Sequence, residues 1–473
     1  MVRSLSRGFH LIERLLEGRV PGFLPAGLIA ILAAAGSSGR TQDYEGEPIL
    51  YSLGPFNDPV AELQRRLEKR EVDLDFDPER GFLPSVLRRL GIPASSQALV
   101  FSKTSFQRDL IAPHRPRAIY FNDSVYLGWV QGGTVLEAAS MDPVQGTVFY
   151  TMDQDPKKPP RFVRQGAERL QCHASGLTKG VPGVLVRSVY PNPSGQPILK
   201  AGAFNTDHSA PLKERWGGWY VTGNHGPSRH LGNSVFPDSD ARPEDFDFES
   251  GANMEKLADR FDTKPYLTPH SDIVALMVLE HQVQGQNLIT SAGCQARIAL
   301  HQQDMMGRLL GGSEDRPGES TIRRFEYAAR PLLKYLFLVD EPSLAAPIRG
   351  TSGFAEDFTR RGPRDRRGRS FRDLDLTRRL FRYPMSYLVH SEPFHGLPPA
   401  FKAYLVRRLW DILNGRDPTD DFARASDEDR GAILGILIDT QTDLPDYWRE
   451  RRNLPFKEAA PAPSGVAPRR TEL

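Results

Sequence analysis

Apolar residues between positions 59 and 91 recur every three or four places. "PVAELQRRLEKR" and "GFLPSVLRRLG" set leucines on one side and arginines on the other, which predicts two amphipathic helices. From about residue 97 the period drops to two. "ALVFSK", "AIYFN", "VYLGWV", "TVLEAAS" and "GTVFYTM" are short and rich in β-branched and aromatic residues. Turn pairs such as Asn122-Asp123 and Gly132-Gly133 separate them, predicting hairpins. "DQDPKKPP" (153–160) is a proline-rich break. Through 161–250 neither period holds: glycine and proline dominate, as is usual where loops serve a function or wrap around something. The helical period returns after Met254. "SDIVALMVLEHQVQGQNLI" opens on an N-cap signal, Ser271-Asp272, and is apolar on nearly all sides, as a central core helix would be. "CQARIALHQQDMMGRLL", "TIRRFEYAARPLLKYLFLV" and "PPAFKAYLVRRLWDILNG" supply further helices. No internal repeat is visible.

The first 35 residues differ from the rest. Arg3, Arg7, Arg14 and Arg19 precede the apolar run "FLPAGLIAILAAA", which ends in small residues before "GSSGR". This is the pattern of an export signal cleaved near Ala35, with an uncleaved anchor as the alternative. The expected location is periplasmic or secreted. Residues 36–47 read as a flexible lead-in, and the tail 456–473 as disordered. Removing the leader takes away four arginines and two glutamates and leaves 57 basic and 57 acidic groups. A balanced chain with no long basic run has no nucleic-acid groove. Membrane contact is expected only through the N-terminal segment, if that is retained.

Two cysteines exist, Cys172 and Cys294. In an exported chain their ordinary reading is one disulfide, which in the chain-entropy model contributes ~3–5 kcal/mol. Cys172 also stands in "RLQCHASG", and Cys172-His173 is the second half of the C-x-x-C-H haem-attachment signature. Arg169 occupies the place of the first cysteine. That leaves one thioether and one proximal ligand to iron. A disulfide and a thioether at Cys172 exclude each other. Thiol hydrolysis fits poorly, because an adjacent histidine cannot easily turn back onto the sulfur beside it.

"VFSKTSFQRDLIAPHRPRAIYFNDSVYLGWV", "QCHASGLTKGVPGVLVRSVY", "ERWGGWYVTGNHGPSRHLGN" and "YLTPHSDIVALMVLEHQ" resemble a family of large exported bacterial proteins that carry a cytochrome c domain. The similarity extends over nearly all of the chain after the leader. The resemblance implies that Cys172 is a thioether cysteine, that His173 is the proximal ligand, and that haem c is the cofactor. Arg169, in place of the family's first cysteine, departs from its C-x-x-C-H pattern. The implied activity is electron transfer to an unidentified redox partner without bond-making chemistry, peroxidase-type activity remaining open. The opposing reading is a haem-free descendant serving as a structural or binding module, with a Cys172–Cys294 disulfide as an option.

The distal ligand is left open among His225, flanked by glycines, and the rivals His208, His230 and Met254. A loop histidine more often bonds backbone than metal. Arg229 is a candidate propionate partner, against the plainer role of a surface arginine. Trp216 and Trp219 are read chiefly as packing. Glu280, His281 and His301 lack the spacing of a helical metal site. The Arg/Asp-rich stretch 351–379 reads as an ion network that satisfies itself. The expected architecture is mainly α, with an α+β N-terminal section over 48–155. A loop-rich, cytochrome c-like segment over 156–250 is expected to pack against a helical C-terminal region, 251–455.

Overall fold

The computed structural model describes residues 44–104, 107–166, 174–237, 242–312, 316–417, 419–423 and 425–450. Both helices expected near the N-terminus are present, α1 (Pro59–Glu68) and α2 (Leu83–Leu90). Asp58 caps α1, its carboxylate accepting from the Val60 and Ala61 amides. The alternating runs form β1 (Ala98–Val100), β2 (Arg117–Phe121), β3 (Val125–Trp129), β4 (Val135–Asp142) and β5 (Gly146–Asp153). β6 (Phe162–Arg164) extends one edge of this sheet. At the β2–β3 turn the Asn122 side chain accepts from the Ser124 and Val125 amides, closing the hairpin.

The expectation of a mainly α, cytochrome c-like fold is incorrect. The strands pair antiparallel in the order β6-β5-β4-β3-β2-β1, followed by β9 (Trp219–Tyr220), to make a seven-stranded sheet, and the described residues are about 36% helix and 13% strand. The Gly/Pro-rich segment is part of that architecture. Its residues Trp219–Tyr220 form β9, which pairs with β1 and closes the sheet's second edge. Within the same segment β7 (Arg187–Val189) and β8 (Ala203–Asn205) make a small second sheet. Short strands in glycine-rich sequence carry no readable period, so pairing rather than pattern defines them.

The large sheet is the middle of three layers. Leu99, Tyr120, Leu127 and Ala138 face α1 and α2 in one apolar core. Their chain neighbours Val100, Phe121, Tyr126 and Ala139 face the C-terminal helices in another. That is the two-residue alternation of a strand buried on both faces. Gly128 lets the Arg117 guanidinium lie across β3 to reach Glu137, because a Cβ there would occupy the place of the guanidinium.

The C-terminal layer is built on α3, a continuous helix from Ile273 to Leu310. Two helices expected from the sequence are therefore one. α4 (Glu319–Leu336) folds back along it, with the Gln303 side chain accepting from the Gly318 amide and the Thr321 hydroxyl. Four shorter helices follow: α5 (Phe354–Arg360), α6 (Glu392–His395), α7 (Pro399–Leu413) and α8 (Asp427–Thr440), before α9 (Asp446–Glu450). Among the described residues, no helix is long and apolar enough to cross a membrane.

Candidate functional site

Asp272 starts α3. One of its oxygens accepts from Val274 N at 2.8 Å, and the other accepts from Thr351 N and Ser352 N at 2.7 Å each. The helix then carries a buried polar stretch: Glu280, His281, Gln282, Gln286 and Asn287 are all at most 2% exposed. Buried polar groups persist only where partners meet them. Gln282 donates to the Asn122 carbonyl and to Tyr126 Oη, and accepts from Tyr387 Oη at 2.6 Å. Gln286 accepts from Tyr126 Oη and donates to the Asp123 carbonyl. These bonds join the central helix to the β2–β3 turn.

A cavity of about 220 Å³ opens where α3 meets the Gly/Pro-rich segment, lined by Gly176, Lys179, Val186, Thr206, Asp207 and Gln284 among others. Its first wall directly follows the Cys172-His173 pair. Ala174 is bonded to His173. From Ser175 the chain enters a single 3-10 turn, Gly176–Thr178, in which Thr178 Oγ1 accepts from Ser175 N and donates to the Ser175 carbonyl. Thr178 is fully buried, and the Lys179 carbonyl accepts from Ser291 Oγ of α3 at 3.1 Å. The segment that carries the motif onward is thus fixed to the central helix.

Behind the cavity lies a cluster of ionisable groups. Val283 and Gln284 line the cavity, and Glu280 lies one helical turn deeper on the same face. Glu280 is fully buried, with Arg215 Nη1 3.3 Å from its Oε2. The other N–H groups of Arg215 go to backbone: to the Ala210 carbonyl from Nε and Nη2, and to the His208 carbonyl from Nη2. Thr206 Oγ1 lies beside the Glu280 carboxyl but donates to the Val186 carbonyl, leaving Glu280 Oε1 without a hydrogen bond. Burial pushes the Glu280 carboxyl up to about 7, against the pull of Arg215.

His208 Nδ1 lies 2.8 Å from His281 Nδ1, and His281 Nε2 lies 2.7 Å from Ser386 Oγ. Tyr335 stacks on His281, packs at a tilt against His208, and donates its hydroxyl proton to the His281 carbonyl. Burial, reinforced by Arg215, drives His208 down to about 3; burial and His208 hold His281 well below its ordinary range. Both imidazoles are neutral at pH 7.

Arg169, Cys172 and His173 lie outside the described residues. Of the distal candidates, His208 alone belongs to the cluster behind the cavity. His225 is elsewhere, with both ring nitrogens engaged: Nδ1 bonds the Ser228 carbonyl at 2.8 Å and Nε2 accepts from Asn253 N at 3.0 Å. His230 packs 4.7 Å from His225 and 5.4 Å from Trp216, ring centre to ring centre. Its Nδ1 accepts from Gly232 N, so in the neutral ring the proton sits on Nε2. Met254 packs against the apolar core on the α1–α2 side. Arg229 grips Glu249 through two nitrogens and bonds the Gly226 and Ser228 carbonyls. Trp216 and Trp219 are core residues, and Trp219 Nε1 donates to the Arg187 carbonyl. Cys294 is a free, buried thiol. His301 lies 3.7 Å from Glu47, apart from Glu280 and His281. No three His, Cys, Asp or Glu side chains converge as a metal site among the described residues.

A haem iron needs an imidazole with one nitrogen free and the other held by a hydrogen bond, the arrangement that orients ligating histidines. His208 meets this requirement: Nδ1 is tied to His281, and Nε2 has no hydrogen-bond partner among the described residues. His225 does not meet it, and His230 carries its proton on the wrong nitrogen. Of the loop histidines, His208 alone offers an open ring nitrogen, and it is not among the residues that line the cavity of about 220 Å³.

Sequence reasoning missed the Arg215–Glu280 pair. The signal was a glutamate inside the otherwise apolar "IVALMVLEHQV", because a charge in a core helix requires a partner. No family model matches the chain, and neither a curated protein nor a solved structure matches it.

Proposed function

We propose that this protein is an exported haem-binding electron carrier. It holds one haem through Cys172 and His173, and Gly176, Leu177 and Lys179 of the chain that follows them line a cavity against α3. The observation that carries the reading is continuity. Gly176, Leu177 and Lys179, which follow the motif, line the cavity, and so does Asp207, the chain neighbour of His208, whose Nε2 has no hydrogen-bond partner among the described residues. Bound haem would supply a one-electron redox centre. The chain's own residues would set its surroundings: His281 and Ser386 hold the His208 ring, and Glu280 with Arg215 places a compensated charge behind it.

The test is absorbance of the protein purified from an exporting host with intact cytochrome c maturation. A Soret band that survives denaturation and is lost from the covalent fraction in Cys172→Ala supports the reading. A colourless protein overturns it. A second reading, a haem-free binding module using the same cavity, draws on the closed state of His225 and His230. A colourless protein that still binds a small polar ligand in that cavity would establish it.

A further inference from the structure

α4 ends at Leu336, and the residues just after it line a second cavity, of about 270 Å³. The Phe337 and Leu338 amides still donate into the helix, to the Leu333 and Tyr335 carbonyls. Leu338 stands at φ +51°, the left-handed conformation that turns a chain out of a helix, and Val339 donates back to the Lys334 carbonyl. Phe337 packs edge-on against Phe422 of the 3-10 turn Asp420–Phe422, with 5.3 Å between ring centres. These residues and Pro384 supply the apolar part of the lining. The volume is close to the lower end of the ~300–1,000 Å³ of small-molecule sites, so the cavity suits a small organic ligand.

Five charged residues line it as well: Glu341, Arg378, Arg379, Asp421 and Asp429. Four of them already have counter-ions. Arg379 Nη1 and Nη2 meet the two Asp429 oxygens at 3.4 and 3.0 Å. Its Nε–H lacks a partner but is buried, out of reach of anything in the cavity. Arg378 donates from Nε and Nη2 to one oxygen of Asp375. Asp421 meets Arg330 at 2.9 Å and Lys334 at 3.6 Å. Glu341 is the exception. Its Oε1 accepts from the Leu380 amide at 2.8 Å; among the described residues Oε2 has no partner, and no lysine or arginine nitrogen lies within 4 Å. Burial pushes this carboxyl up to about 7, against the pull of the Leu380 amide, Arg215 and Arg379. A half-buried carboxylate without a counter-ion favours a ligand that brings one.

We propose that this cavity binds a small organic amine, its ammonium on Glu341 and its apolar body against Phe337, Phe422 and Pro384. An anion fits poorly, because both arginines are taken up by aspartates and Glu341 would repel it. A bare metal ion would find one open carboxylate and no cluster of ligands among the described residues. The lining shares no residue with the cavity at Gly176–Thr178, so the proposal does not depend on haem.

The test is calorimetric titration of the full chain at pH 8, where the Glu341 carboxyl is ionised. The probes are phenethylamine, cyclohexylamine and butylamine, against phenethyl alcohol and hydrocinnamate. At least one amine should bind once per chain with a Kd of about 1 mM or tighter, the alcohol ~10-fold more weakly, and the anion not at all. Glu341→Gln keeps an acceptor for the Leu380 amide. It should weaken the amine ~10-fold and leave the alcohol unchanged, with unaltered circular dichroism. Ala425→Trp fills the cavity, leaves Glu341 in place, and should abolish binding of amine and alcohol alike. Failure of every amine to bind at about 10 mM, equal affinity for amine and alcohol, or undiminished amine binding in either variant overturns the proposal.

Discussion

His208 and His281 face each other through the same ring nitrogen, Nδ1 to Nδ1 at 2.8 Å. One of the two must carry the proton and the other must accept it. His281 passes the chain on to Ser386 Oγ, which also accepts from Leu388 N. Only two directions of proton order are allowed, and one of them leaves His208 Nε2 as a bare lone pair.

His281→Phe should be costly despite good packing. Phenylalanine can keep the ring contacts with Tyr335 and Phe381, but it leaves His208 Nδ1 and Ser386 Oγ buried without their partner. The expected loss is ~1–3 kcal/mol in urea unfolding. Ser386→Ala should lose ~1 kcal/mol. Wild-type stability in His281→Phe would contradict the hydrogen-bond chain.

Acid should destabilise the fold through its histidines. His208 and His230 are held at about 3, mainly by burial, against an ordinary 6.5. Between these values the unfolded chain binds protons that the folded chain refuses, so stability rises with pH across the window by ~1.4 kcal/mol per unit for each ring. Urea unfolding from pH 3.5 to 6.5 should show this rise, and a His230→Phe variant should show a shallower one.

Glu280 acts in the opposite sense. Its folded value of about 7 lies above the ordinary 4.5, so the folded chain keeps a proton that the unfolded chain has released. Stability contributed by the protonated carboxyl is full below 4.5 and is lost as pH rises toward 7. Relative to the parent, Glu280→Gln should therefore gain stability from pH 4.5 to 7, by up to ~1.4 kcal/mol per unit, and then level off. A difference that is flat with pH would show that Glu280 is ionised throughout.

Cys294 should be inert. It is 1% exposed, and burial pushes its thiol up to about 11. Peptide mapping after treatment with an aromatic disulfide at pH 8 should find Cys294 unmodified in the native protein and modified after unfolding. Modification of the native protein would contradict the packing of the α3 face around it.

Gly183→Ala tests the seam between α3 and the Gly/Pro-rich segment. A Cβ at this position would collide with the Asn287 side chain, which donates to the Val184 carbonyl at 2.9 Å. Displacing it should cost ~1–3 kcal/mol, measured by thermal unfolding.

Period was the legible part of this sequence. The leucine spacing in "PVAELQRRLEKR" and the alternation in "TVLEAAS" each led to the right element at nearly the right bounds. The two helices expected here leave out Thr290–Gly293, which α3 runs through; in the fold Gly293 packs against Leu397, as Gly285 does against Leu388. Trp219–Tyr220 gave no strand signal, since a two-residue strand is defined by its partner Leu99–Val100. At the site, His208 was named only as one loop histidine among three. What separates it is His281, 73 residues away, and no local pattern reports that contact.

The decisive measurement is the pyridine haemochrome spectrum of the exported, purified protein, taken with the iron-to-protein ratio. A single thioether at Cys172 leaves one vinyl unsaturated, so the α band should fall between those of haems with two saturated vinyls and with none, at one iron per chain. A preparation without porphyrin, from cells that mature other c-type cytochromes, would contradict the haem assignment and leave the cavity to another ligand.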